Sequence, residues 1–161
     1  MVQENHPPLG MCIKNGIIYG DYMTSYSVMA VKKDGTIYTP AQGLMGKNLL
    51  AAGVKDTYNF GPVLIKDGEA QLPWAETEKY YPRTAVGMVK PNDYVLLVTD
   101  TGRYNGLNHW DMVNIFKSYG CTYAYNLDGG GSATLYFNGK VMNKLIGNTQ
   151  RPCADFLYFT R

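Results

Sequence analysis

The chain of 161 residues has little of what metal centres and histidine-based catalysis require. Its three cysteines, Cys12, Cys121 and Cys153, are widely spaced and form no Cys-x-x-Cys pair, so they predict neither a zinc site nor a disulfide framework. We expect three buried thiols, with one disulfide and a single buried thiol as the alternative. The two histidines, His6 and His109, are too far apart to predict a histidine metal site, and they support a Ser–His–Asp triad poorly. We therefore expect no cofactor, and a structural calcium ion stays open as an alternative.

Long apolar runs and blocks of one charge are also missing. No stretch of eighteen apolar residues occurs, so the sequence predicts no membrane span. The net charge is only +2 and the basic residues are not clustered, which disfavours nucleic acid as a partner. Residues 1–8 are polar and broken by proline, so they do not resemble a signal peptide. At this length we expect one domain over residues 1–161.

What the chain does contain is tyrosine, fourteen in all, and short apolar runs separated by turn residues. Asn-Gly and Asp-Gly between such runs predict β-hairpins, because both residue types tolerate positive φ angles. The first half predicts strands at 11–14, 17–19, 25–32, 36–38 and 60–66, a short helix within 47–57, and a surface loop over 71–82 that is suited to flank a site.

The second half predicts a strand–helix–strand unit. Residues 94–99 are almost continuously apolar, which is typical of a strand buried on both faces. Asn108 is a good N-cap, and apolar spacing predicts a helix over 108–119 followed by a strand over 122–127. Further predicted elements are a hairpin over 133–142 and a last strand over 155–160. We predict an α+β fold with a mixed β-sheet, β-hairpins and at least one right-handed strand–helix–strand unit.

The most informative segment is Asn-Leu-Asp-Gly-Gly-Gly-Ser at 126–132. Asp128 follows a predicted strand and precedes Gly129, Gly130 and Gly131, which cost conformational entropy and add no packing. A glycine-rich turn can point successive backbone N–H groups at one anion, so this segment predicts a phosphate nest beside a carboxylate. The alternative is a plain glycine-rich turn with a solvated aspartate.

A second carboxylate, Asp100, directly follows the strand at 94–99. If the two strands of the unit are parallel neighbours, Asp100 and Asp128 meet at the carboxyl edge of the sheet, where open sheets bind ligands. The alternative is that Asp100 only begins a turn. A P-loop is excluded because Ser132 leads into a strand-like run instead of a helix.

Three arginines accompany the two acids. Arg103 follows Asp100 closely, whereas Arg83 and Arg151 each lie beside a proline-containing loop. Arginine is suited to bidentate contacts with phosphate, although a surface ion pair is the default expectation for any one arginine.

These blocks, taken in order, resemble the phosphodiester glycosidase family. The matching blocks are 60–62, 66–68, 82–87, 98–100, 102–103, 106–107, 126–134 and Arg151. The resemblance runs from about residue 9 to the C-terminus. Family members carry a further Asn-Gly-rich block ahead of the region that matches residues 8–10, and we expect the domain in this chain to lack it.

The resemblance implies hydrolysis of a sugar-1-phosphodiester between sugar and phosphate, on a small-molecule or glycan substrate, in an extracytoplasmic or cell-surface setting. Asp128 becomes the catalytic carboxylate and Asp100 its partner or an orienter of sugar hydroxyls. The implied substrate-binding and phosphate-binding groups are Arg83, Thr84, Arg103, Ser132, Arg151 and the backbone of Gly129, Gly130 and Gly131. The alternative is a non-catalytic glycan-binding or cell-envelope module on the same fold. A phosphatase or nuclease is disfavoured, since it would need a dense Asp/His metal cluster.

Overall fold

The computed structural model describes residues 10–22, 24–71, 79–100, 106–153 and 155–159. The strands are β1 (Cys12–Lys14), β2 (Ile17–Gly20), β3 (Ser27–Lys32), β4 (Ile37–Tyr38), β5 (Val54–Phe60), β6 (Val63–Lys66), β7 (Glu69–Ala70), β8 (Thr84–Lys90), β9 (Asp93–Val98), β10 (Tyr123–Leu127), β11 (Tyr136–Phe137) and β12 (Lys140–Val141). The α-helices are α1 (Gly46–Ala51) and α2 (His109–Ser118), and short 3₁₀ helices cover Gly130–Ser132 and Ile146–Asn148.

The strands form two main sheets and two hairpins. The larger sheet has the order β7-β6-β10-β8-β9, the smaller one the order β4-β3-β5, and β1–β2 and β11–β12 pair separately. The predicted hairpins at Asn15-Gly16 and Asn138-Gly139 are confirmed, and both asparagines adopt positive φ, 50° and 48°. The α+β class is confirmed, with β10 at the centre of the larger sheet.

The two faces of the larger sheet build two parts of the core. One face packs against α2 in a cluster that contains Leu64, Ile65, Ala85, Met112, Val113, Phe116 and Ala124. Gly87 of β8 permits this packing, because a Cβ there would lie 2.5 Å from the Phe116 ring and 2.7 Å from Cys121 Sγ. The other face shares a cluster with the smaller sheet, formed by Met29, Ile37, Tyr58, Val86, Met88, Tyr123 and Tyr125. The strand β10 is therefore fixed from both sides.

The strand–helix–strand unit is present as β9–α2–β10. Its helix begins where predicted, at the N-cap Asn108, and a capping box with Asp111 satisfies the first backbone N–H groups. Both strands pair antiparallel with β8, so they run parallel to each other with β8 between them. The two strands are therefore not neighbours, because residues 84–90 form β8 between them.

Several other expectations are also corrected. The strand β9 lies at the edge of its sheet with Leu96 46% exposed, so it is not buried on both faces. The helix predicted within 47–57 ends at Ala51, and β5 begins at Val54. Residues 155–159 form no strand, and residue 160 lies outside the described residues. Of the three thiols, all free, only Cys121 is buried; Cys12 is half-buried and Cys153 is exposed. No described helix is both long enough and apolar enough to cross a membrane.

Candidate active site

The strand β10 ends in a firmly held segment immediately before Asp128. Asn126 is 1% exposed, and its Nδ2 donates a hydrogen bond of 2.7 Å to the carbonyl of Gly61. Its backbone N–H donates to the carbonyl of Pro62 (3.1 Å), and its carbonyl accepts from Gly61 N–H (3.1 Å). On the other side, Leu127 pairs with Thr84 of β8. Backbone ladders on both sides therefore fix the point from which Asp128 projects.

The Asp128 carboxylate accepts three hydrogen bonds. Its Oδ1 accepts from the Gly129 N–H at 2.8 Å. Its Oδ2 accepts from the Ser132 hydroxyl at 2.7 Å and from Nη2 of Arg151 at 2.6 Å. Arg151 also contacts the Ser132 hydroxyl, so the three side chains form a closed triangle. The carboxylate and the guanidinium are each about half exposed, at 49% and 53%, which leaves the triangle accessible to a ligand from solvent.

Each of the three glycines has its own structural reason. A Cβ on Gly129 would lie 2.4 Å from the carbonyl oxygen of Pro82, so no larger residue fits there. Gly130 has a φ of +56°, and its N–H donates to that same carbonyl at 2.8 Å. Gly131 lies against the Arg151 side chain, 3.7 Å from its Cδ to the position of a Cβ.

This arrangement changes the meaning of the predicted phosphate nest. The N–H groups of Gly129 and Gly130 already donate to Asp128 and Pro82, and of the three only the Gly131 N–H donates to no described residue. The glycines act chiefly by letting the turn approach β8 and the Arg151 side chain. Their role in binding phosphate stays a prediction.

The backbone of Arg83 lies against the same turn, while its side chain bonds to the carbonyls of Leu107 and Lys79. Its Cα lies 3.5 Å from the position of a Cβ on Gly129. Its Nε donates to the carbonyl of Leu107 at 3.1 Å, its Nη2 donates to that of Lys79 at 3.0 Å, and its guanidinium lies 5.2 Å from the Tyr81 ring centroid. Beside it is an open cleft of about 470 Å³ whose described lining is Tyr80, Gly106, Leu107 and Asp111.

Asp100 follows β9, which is not the neighbour of β10 in the sheet. One strand, β8, separates the two, so their backbones stand about 10 Å apart at the usual strand spacing. Asp100 is half-buried and its Oδ2 accepts from the backbone N–H of Lys144 at 3.2 Å. The condition for the expected meeting of the two carboxylates, that their strands are neighbours, is therefore not met. Arg103 lies outside the described residues.

Two buried oxygen atoms at this edge have no hydrogen-bond partner among the described residues. They are Oγ1 of Thr84, the first residue of β8, and Oδ1 of Asn126, which lies one residue before the end of β10. Sequence reasoning included Thr84 and missed the supporting role of Asn126, although Asn126 lies in the segment that it singled out. It also missed Asn143, whose side chain bridges Leu135 N–H (2.8 Å) and the carbonyl of Ala133 (2.9 Å) and so holds the chain after the glycine turn.

The described residues include no group of three or more His, Cys, Asp or Glu side chains placed to hold a metal ion. The expected absence of a cofactor stays a prediction.

Comparison with known proteins relates this site to one family. A family model named phosphodiester glycosidase matches residues 1–160. The prophage-derived uncharacterized protein YomE of Bacillus subtilis (strain 168) is 30% identical over 166 residues, covering 96% of this chain and 26% of that protein. Mouse N-acetylglucosamine-1-phosphodiester α-N-acetylglucosaminidase is 28% identical over 156 residues, covering 81% of this chain and 29% of the mouse protein. The chain thus spans less than a third of the length of these relatives.

Solved structures share the fold. The zebrafish N-acetylglucosamine-1-phosphodiester α-N-acetylglucosaminidase catalytic domain, auto-inhibited by its pro-peptide, superposes with a TM-score of 0.70 at 23% identity. The match covers 86% of this chain and 51% of that one. A hypothetical protein from Synechocystis superposes with a TM-score of 0.51 at 16% identity, covering 78% of this chain and 32% of its own.

Proposed function

Because the chain belongs to the phosphodiester glycosidase family, we propose that it hydrolyses a sugar-1-phosphodiester, such as an N-acetylglucosamine-1-phosphodiester, between the sugar and the phosphate. The observation that carries the proposal is the half-exposed Asp128 carboxylate, which a sheet end fixes in contact with Ser132 and Arg151. The site thus combines one accessible carboxylate with one accessible cation. The substrate class is that in the name of the mouse relative.

The chemistry suits a single well-held carboxylate. Water adds its oxygen to the anomeric carbon, the bond from that carbon to the phosphate oxygen breaks, and the phosphate monoester leaves with the bonding electrons. A phosphate monoester is a good leaving group that hardly needs protonation, so the acid of ordinary glycosidases is dispensable here. Asp128 either takes the proton from water as a general base or attacks the anomeric carbon itself.

Arg151 connects substrate binding to that step. Its guanidinium donates a hydrogen bond to Oδ2 of Asp128. A phosphodiester offers arginine a paired set of acceptor oxygens, so the substrate competes with Asp128 for the same cation. When Arg151 turns to the phosphate, Oδ2 is released beside the anomeric carbon. The Ser132 hydroxyl holds the carboxylate meanwhile, and Arg83 supplies a second positive charge on the β8 side.

Asp100 acts in this proposal on the sugar hydroxyls and not on the reacting carbon. Its strand is separated from that of Asp128 by β8. The buried hydroxyl of Thr84, the first residue of β8, has no partner among the described residues and serves in this proposal as a hydrogen-bonding group for the substrate.

The test is release of free sugar from UDP-N-acetylglucosamine by the purified chain. Wild-type protein is expected to liberate N-acetylglucosamine, and Asp128→Asn to lose activity by more than about a hundredfold, since the amide provides neither a base nor a nucleophile. Far-UV circular dichroism and melting temperature should stay unchanged, because the side chain is half exposed. Asp93→Asn is the matched control, an exposed aspartate at the start of β9, and should keep full activity.

Each other result has a defined meaning. Full activity in Asp128→Asn removes this carboxylate from the mechanism. Sugar binding without release favours the non-catalytic glycan-binding module. Release of N-acetylglucosamine 1-phosphate in place of free sugar shows cleavage on the phosphorus side and rejects the glycosidase proposal.

A further inference from the structure

Two aromatic side chains form a flat stack where β5 ends. The ring centroids of Tyr26 and Phe60 lie 6.1 Å apart with an interplanar angle of only 10°. Tyr26 is 46% exposed, whereas Phe60 is half-buried beneath it. Single exposed tyrosines are ordinary on protein surfaces and need no explanation. A parallel pair with its outer ring exposed is more specific, because it forms a rigid apolar surface instead of a single mobile ring.

The position of the Tyr26–Phe60 pair ties it to Asp128. The residue after Phe60 is Gly61, whose N–H donates to the carbonyl of Asn126 at 3.1 Å, and Asn126 precedes Asp128 by two positions. The pairing of Tyr125 with Val63 continues this antiparallel alignment towards the same edge. Phe60 therefore ends β5 directly before the Gly61-Pro62 segment that bonds Asn126 on one side of β10, while Thr84 pairs with Leu127 on the other side.

The pair is also fixed to the strand that carries Asp128. The buried Tyr125 hydroxyl accepts a hydrogen bond from the Phe60 N–H at 2.8 Å and donates one to the carbonyl of Ser27 at 2.6 Å. Ser27 pairs with Phe60 across β3 and β5 and directly follows Tyr26. The Tyr26 N–H donates to the Thr24 hydroxyl at 3.2 Å. The Tyr125 hydroxyl of β10 is thus bonded to Phe60, the last residue of β5, and to Ser27, the first residue of β3, which follows Tyr26.

We propose that the Tyr26–Phe60 pair is a sugar-stacking surface, on which the pyranose ring of the substrate lies while its phosphate faces Arg151 and Arg83. One face of a pyranose presents C–H bonds, and the negative π-face of an aromatic ring attracts such positively polarised hydrogens. The apolar flank then takes the sugar and the basic flank takes the phosphate, with Asp128 between them at the bond that breaks. The identity of the ligand rests on the proposed function, whereas the stacking surface is testable by binding alone.

The experiment measures the affinity of the chain for N-acetylglucosamine 1-phosphate by calorimetry. Tyr26→Ala is expected to weaken binding by about tenfold, which is the loss of one stacking contact, and Tyr26→Phe to stay within about twofold of wild type. Affinity for inorganic phosphate should be the same in all three proteins, since that ion makes no stacking contact. The matched control is Tyr119→Ala, which removes a 63% exposed tyrosine at the C-cap of α2 and should bind the sugar phosphate as wild type does.

The outcomes separate this proposal from the hydrolytic one. The stacking surface is overturned if Tyr26→Ala binds the sugar phosphate as tightly as wild type does, or if the wild-type chain does not bind it. It is also overturned if Tyr26→Ala loses affinity for inorganic phosphate to the same extent. Tyr26-dependent binding without sugar release rejects hydrolysis and leaves the stacking surface standing. Should Tyr26→Ala melt at a lower temperature than wild type, Tyr26→Leu replaces it, because leucine keeps apolar bulk and removes the ring.

Discussion

Asp128 and Arg151 share one ion pair, yet the two regions that carry them are built in opposite ways. Asp128 follows β10, whose residues Tyr125 and Asn126 are 0% and 1% exposed and bonded to strands on both sides. Arg151 lies in an exposed stretch, residues 150–153, without regular secondary structure, and its described side-chain bonds go to Asp128 and Ser132. The sheet therefore fixes the carboxylate, and the carboxylate fixes the cation. A cation held in this way can pass to another anion without disturbing the core.

We expect the largest effect from Gly129→Ala, which disturbs the firmly held turn that carries Asp128. The added Cβ would lie 2.4 Å from the Pro82 carbonyl oxygen, so the turn must move and carry the Asp128 carboxylate with it. A displacement of about 1 Å in a catalytic group can cost about a hundredfold in rate, and we expect a loss of that size in kcat/KM. Steady-state kinetics on UDP-N-acetylglucosamine, together with urea denaturation, provides the measurement.

Gly120→Ala is the control for this variant. Gly120 has a φ of +75° with open space around it, so alanine strains the backbone without a clash. It lies between α2 and the start of β10, at the opposite end of that strand from Asp128. We expect a loss of about 1 kcal/mol in stability with normal kinetics. If both alanine variants were equally active, the close approach of Gly129 to β8 would have no functional role.

Arg151→Ala removes the cation of the exposed stretch. Because an exposed ion pair adds only about 0–1 kcal/mol to stability, the melting temperature should hardly change. The KM for UDP-N-acetylglucosamine should rise by about tenfold or more, since the phosphate loses a charged partner. An uncharged aryl N-acetylglucosaminide carries no phosphate, so its KM should stay near the wild-type value. An equal rise for both substrates would contradict a phosphate-binding role, and a large fall in melting temperature would contradict the weak structural role.

The sequence predicted the parts of this site that depend on local interactions. Asp128 and Ser132 are four residues apart, and the Asn108 cap and the Asn138-Gly139 turn are each determined within a few residues. Such features need no knowledge of distant strands. The pairing of Arg151 with Asp128 spans 23 residues, and only the resemblance to a family brought the two together before the structure did.

What the sequence could not provide are contacts set by strand order. Residues 84–90 carry a glycine at their centre, which weakens the strand pattern. The structure explains this glycine by the close approach of the Phe116 ring to Gly87. An apolar run such as β9 has the same appearance at the edge of a sheet as at its centre. The stacking of Tyr26 on Phe60 depends on the pairing of β3 with β5, which no local pattern reveals.

The smallest effect concerns the buried tyrosines of the core on which β10 packs. It is a change in how stability depends on pH, and it is visible only at high pH. Burial raises the pKa of the phenols of Tyr58, Tyr123 and Tyr125 above the ordinary value near 10. Above about pH 10 the unfolded chain releases these protons while the folded chain retains them, so stability is complete below that pH and falls as the pH rises further. Each tyrosine contributes a slope of up to about 1.4 kcal/mol per pH unit.

Tyr125→Phe should remove one of these three contributions, so that urea denaturation between about pH 10 and about pH 11.5 shows a shallower decline than in wild type. The variant also loses the bonds to Phe60 and Ser27 and is expected to be less stable by about 1–2 kcal/mol at neutral pH, which makes the slope the diagnostic quantity. Tyr119→Phe removes an exposed phenol and should leave both the slope and the neutral stability unchanged. A slope in Tyr125→Phe equal to that of wild type would mean that this phenol ionises as readily in the folded chain as in the unfolded one. The hydroxyl would then be accessible to solvent, and β10 would be less firmly held beneath Asp128 than its two buried hydrogen bonds imply.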